Sequence, residues 1–159
     1  MWLTDFSQRV AGDIAFYKGQ PGLVLDELIM LRTGSPYVHV AICTGPDSTI
    51  AATSGGITLQ GISNVTDICR TSQDYESGRL AAAMDWLVGQ VGKAYGYADV
   101  VNQVLLSVAK DPILLDKSAD CSDLATRFLW IAGLALPAAL IETNRVTPGM
   151  LQATLGSLP

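Results

Sequence analysis

The apolar spacing of this chain changes period at Ser72. Before that point, short apolar runs are closed by Gly, Pro and Asp turns. Gly12-Asp13 opens a strand at Ile14-Ala15-Phe16-Tyr17, and Ser35-Pro36 forces an extended entry into Tyr37 to Cys43. Thr44-Gly45-Pro46-Asp47 turns that strand into a hairpin partner at Ile50 to Thr53. Ser54-Gly55-Gly56 turns again into Ile57-Thr58-Leu59, and Val65 to Arg70 reads as one more strand. One helix interrupts the series, with Leu23, Leu25, Leu28, Ile29 and Leu31 at helical spacing and an end near Gly34. After Ser72 the spacing is helical. Ser72 or Asp74 is a candidate cap for a helix striped by Leu80, Met84, Leu87, Val88 and Val91 and ended by Gly92. Further helices are expected at Asp99 to Ala109, at Cys121 to Ala132 with Gly133 as the stop, and from Pro148 to Leu155. Strands first and helices later predict an α+β fold.

The 159 residues suffice for one domain with a real core, and no linker or repeat divides residues 1–159. Apolar residues make up 49% and charged ones 16%, which excludes a disordered chain. The net charge of −5 and the lack of a Lys/Arg cluster argue against a nucleic-acid groove. Phe128 to Ile141 is the most apolar stretch, but Gly133 and Pro137 break it and it is shorter than the roughly 20 residues a bilayer span needs. Its expected role is a buried helix end and a buried connection. The start Met1-Trp2-Leu3-Thr4-Asp5-Phe6 lacks the features of a secretory leader. A cytoplasmic location is expected, with lysis or virion association as routes of release. The odd count of three cysteines fits reduced thiols better than a disulfide framework.

His39 is the only histidine, and it lies inside Tyr37-Val38-His39-Val40-Ala41-Ile42. Strand alternation sends Val38, Val40 and Ile42 to one face and His39, Ala41 and Cys43 to the other. An imidazole in such a run is either a hydrogen-bonded core residue or a chemical group. Cys121 opens the third helical segment in Asp120-Cys121-Ser122-Asp123-Leu124. A helix N-terminus favours thiolate and offers N–H groups to a developing oxyanion. Asp120 and Asp123 are expected to cap that helix start rather than face the sulfur. The alternative for Cys121 is a small buried apolar residue. If the chain performs Cys–His chemistry, His39 is the only base available. His39, Cys43, Cys69 and Cys121 are of types that suit zinc, but the close paired spacing of a zinc site is absent; core packing is the better expectation for Cys43 and Cys69.

The chain resembles a known family. Gly12-Asp13-Ile14-Ala15-Phe16, His39-Val40-Ala41-Ile42-Cys43-Thr44-Gly45, Gly92-Lys93-Ala94-Tyr95-Gly96-Tyr97, Asp120-Cys121-Ser122-Asp123-Leu124 and Val146-Thr147-Pro148-Gly149-Met150-Leu151 are similar, in order and spacing, to segments of the permuted NlpC-type papain-like proteins of the YiiX/YaeF group. The resemblance implies a papain-like fold, circularly permuted, with a central antiparallel sheet packed against a nucleophile-bearing helix. It implies Cys121 as nucleophile, His39 as general base and acid, and Tyr95 beside the oxyanion. The family's histidine is usually oriented by a polar residue, often glutamate, on the next strand. Here that strand reads Ile50-Ala51-Ala52-Thr53, so Thr53 takes the role, with Ser54 or a backbone carbonyl as alternatives. Ala41 stands where the family usually has glycine.

The function this resemblance implies is that of a thiol hydrolase cleaving an amide, such as a peptide, isopeptide or cell-wall peptide bond, without metal or organic cofactor. The alternatives are an acyltransferase or thioesterase acting on fatty acyl groups, and a non-catalytic binding module on the same fold. The expected partner is a peptide-like or acyl substrate, with no nucleic acid and no membrane span.

Overall fold

A computed structural model describes residues 1–71, 75–76, 78–94, 121–138, 140 and 146–158. The expected helix at Asp99 to Ala109, the candidate caps Ser72 and Asp74, and Tyr95 and Asp120 all lie outside the described residues.

The described residues form an α+β structure around one five-stranded antiparallel sheet. In chain order the strands are β1 (Ile14–Lys18), β2 (Tyr37–Cys43), β3 (Ser48–Thr53), β4 (Gly56–Gly61) and β5 (Asp67–Cys69). In space the order is β4-β3-β2-β1-β5. Four α-helices accompany them among the described residues: α1 (Val24–Thr33), α2 (Arg79–Val88), α3 (Cys121–Ile131) and α4 (Pro148–Ser157).

Turn chemistry explains most boundaries. Gly34 ends α1 in the left-handed region at φ 63°, its N–H donating to the Met30 carbonyl. The Thr147 side chain caps α4 by accepting from the Met150 N–H, with Pro148 in the first turn. Gly56 starts β4 at φ 106°, and a Cβ there would lie 2.7 Å from the Lys93 carbonyl oxygen. The N-terminal boundary of α2 differs from expectation: the helix begins after Gly78 and ends at Val88, so Val91 lies beyond it and Val88 is exposed.

The sheet separates two apolar layers. One face carries Ile14, Phe16, Val40, Ile42, Ile50 and Ala52 against Leu124, Phe128, Leu151 and Leu87. This is the main core, and α3 packs on β2 and β3, flanked by α2 and α4. The other face carries Ala15, Cys43 and Ile68, covered by Leu3, Phe6 and Tyr17 from the same cluster. The strand pairings agree with this division, since Ile14 opposes Ile42, Ala15 opposes Ala41 and Phe16 opposes Val40. The expectation that Cys43 and Cys69 pack in the core is met: both are buried, one on each side of the sheet.

Asp13 is fully buried. Its carboxylate accepts from the Val10 N–H at 3.0 Å and pairs with Arg70 at 3.4 Å. Arg70 also donates to the Gln8 carbonyl. The carboxylate thus ties the N-terminal segment to the end of β5. Gly12 beside it adopts φ 92°, and a Cβ there would meet Leu80 at 2.8 Å and Tyr75 at 2.9 Å.

Candidate functional site

Cys121 is the first residue of α3, and its side chain packs half-buried against the main core. The helix continues with Leu124, Ala125, Phe128 and Leu129 on its buried stripe, so the cysteine sits at the head of the stripe that faces β2 and β3. Ser122 and Thr126 are buried as well, and the Thr126 hydroxyl donates to the Ser122 carbonyl at 2.7 Å. Asp123, expected at the helix start as a cap, pairs its carboxylate with the Arg127 Nε at 2.9 Å.

His39 lies in the middle of β2 but on the other side of the sheet. It opposes Tyr17 across the β1–β2 ladder, and the two rings stand 5.4 Å apart. Tyr17 packs on the cluster of Ala15, Cys43 and Ile68. The neighbouring Val40 points into the main core with Cys121's helix, and successive strand residues point to opposite faces. Strand alternation therefore sets His39 on the sheet face away from the one on which α3 packs.

The electrostatics of His39 follow from that position. Burial lowers its pKa from 6.5 to about 4, and the carboxylate of Asp26 on α1 offsets a part of this. The ring is neutral at pH 7. On the same face burial pushes the Cys43 thiol up to about 12, with the Asp13 carboxylate adding to it, and burial likewise raises the Tyr17 hydroxyl. Cys43 is thus a protonated packing residue.

Thr53 ends β3. The β2–β3 register sets Ile42 against Ile50 and Cys43 against Thr49. Ile50 and Ala52 join the main core, so alternation along β3 sets Thr53 on the other face. The Thr53 hydroxyl serves the turn, donating to the Gly56 carbonyl at 3.0 Å and accepting from the Gly55 N–H at 3.3 Å. Tyr95 falls outside the described residues.

Asp13, which in the sequence only opens β1, is a buried charged residue. A carboxylate directly before an apolar strand, with an arginine directly after the last strand, was the available signal. Among the described residues no three His, Cys, Asp or Glu side chains gather as a metal site would require. None of the described helices is long and apolar enough to cross a membrane.

No protein-family model matches the chain, and no curated protein is significantly similar to it.

Proposed function

We propose that the chain is a binding module on a papain-like frame, taking a peptide-like or acyl ligand, in which Cys121 and His39 do not work as a catalytic pair. One observation carries this reading: β2 presents Val40 and Ile42 to the helix that starts at Cys121, while His39 faces Tyr17 on the other side. An imidazole so placed cannot take the thiol proton without leaving its strand face. Its neutral, buried state agrees with a packing role. The frame is supported by the ordered sequence segments from Gly12 to Leu151 and by the packing of α3 on β2 and β3.

A second reading keeps the thiol hydrolase acting on an amide bond, or its acyl-transferring relative. The position of Cys121 at the first residue of α3 favours it, because the N–H groups and dipole of a helix start lower a thiol pKa. In that reading His39 must reach the α3 face in the active form.

Alkylation of the full chain with iodoacetamide, read site by site by mass spectrometry between pH 5 and 9, separates the two. The binding-module reading expects Cys121 to react no faster than a model thiol and to be indifferent to His39→Ala. A fast reaction near neutral pH that His39→Ala slows would overturn it and restore the hydrolase.

A further inference from the structure

The solvent face of α3 carries Asp123, Arg127 and Trp130 at helical spacing, opposite the stripe that packs on the sheet. Trp130 is 59% exposed, an unusual position for an indole on a helix whose Leu124, Phe128 and Leu129 are buried. Across from it stands Trp86 of α2, half-buried and packed against the core. Between the two helices is an open cleft of about 370 Å³, lined by both tryptophans, by the Asp123–Arg127 ion pair and by Ile131. Its size is that of a small-molecule site, and its wall mixes apolar side chains with Asp123, Thr126 and Arg127.

The charges in the cleft narrow its ligand. Two indoles and a carboxylate alone would suit a quaternary cation. Here the guanidinium of Arg127 lies within 2.9 Å of the carboxylate, cancels its charge and repels a cation. Asp123 in turn repels an anion, as does the chain's net charge of −5. A ligand that fits is neutral, has an apolar face for an indole, and has polar edges that can both donate to a carboxylate and accept from a guanidinium. A pyranose ring has these properties: its C–H face stacks on indole while its hydroxyls take the ion pair. We propose that this cleft is a binding site for a neutral saccharide. It is independent of the reading of Cys121, because it lies on the outward side of α3.

Isothermal titration of the full chain with cellohexaose, maltohexaose and N-acetylchitohexaose tests the site. At least one of these probes is expected to bind saturably. Trp130→Ala, at an exposed position, is expected to weaken that binding by about tenfold, the effect of losing one stacked ring; Trp2→Phe, outside the cleft, is expected to leave it unchanged. Arg127→Met provides a second variant should Trp130→Ala not fold, and is expected to weaken the same probe. Absence of saturable binding with all three probes, unchanged affinity in the cleft variant, or displacement of the sugar by choline would overturn the proposal.

Discussion

Tyr17 stands directly opposite His39 across the β1–β2 ladder, with ring centroids 5.4 Å apart and planes inclined at 48°. This contact holds the imidazole on the sheet face away from α3. It also makes His39 a group whose protonation opposes folding.

The consequence is an acid-labile fold. The unfolded chain binds a proton at His39 with the ordinary pKa of 6.5, whereas the folded chain does so only near about 4. Between those values the unfolded state holds more protons, so stability is complete above the higher value and falls as pH drops through the window. The loss attributable to His39 is at most about 3 kcal/mol. Urea unfolding at pH 7 and at pH 4.5 measures it, and His39→Gln is expected to flatten the difference.

Asp13 is expected to matter more than any surface charge. Asp13→Ala removes the partner of Arg70 and the acceptor of the Val10 N–H, at a cost of roughly 3 kcal/mol. Asp13→Asn retains an acceptor for Val10 and should cost less. Chemical denaturation of both variants checks the order; equal, negligible losses would show that this carboxylate does not anchor the N-terminal segment.

Phe128 is fully buried on α3 and meets Tyr75 edge-on at 6.0 Å. Phe128→Ala should destabilise by about 4 kcal/mol, through lost burial and the cavity left behind. A thermal melt close to that of the wild type would mean that α3 is not packed on the sheet as described.

Gly56→Ala introduces a Cβ 2.7 Å from the Lys93 carbonyl oxygen at a φ of 106°. The expected cost is about 2 kcal/mol. Gly22→Ala provides a comparison at φ 88° with no atom within 4 Å, and should cost less because only the backbone conformation is strained.

Much of the fold was legible in the sequence because strong local signals bound its elements. Pro36 and Thr44-Gly45 frame β2, and Gly34 and Gly133 stop the helices before them. The start of α2 was not legible: Ser72 and Asp74 are good caps by type, yet the helix starts after Gly78, which offers no side-chain cap. Nor was the end of the same helix, because Val88 and Val91 fit its apolar spacing but stay exposed. The site shows the deeper limit. Alternation in β2 places Val40 and Ile42 on one face and His39 on the other, but it does not hold as far as Tyr37, which joins Val40 in the main core past the register shift beside Tyr17. It could not say which face α3 would take, because both are apolar: Val40 and Ile42 on one, Ala41 and Cys43 on the other. Helix docking is decided by the fit of whole layers, and here the bulkier face won, burying Leu124 and Phe128 among isoleucines.

The separation of His39 from Cys121 is tested most directly by nuclear magnetic resonance titration of the imidazole, which is unambiguous in a chain with one histidine. The ring on the Tyr17 face is expected to titrate near about 4 and to be unmoved by Cys121→Ser. A midpoint above the ordinary histidine value that collapses in Cys121→Ser would reveal an imidazolium held by thiolate, and would contradict the arrangement described.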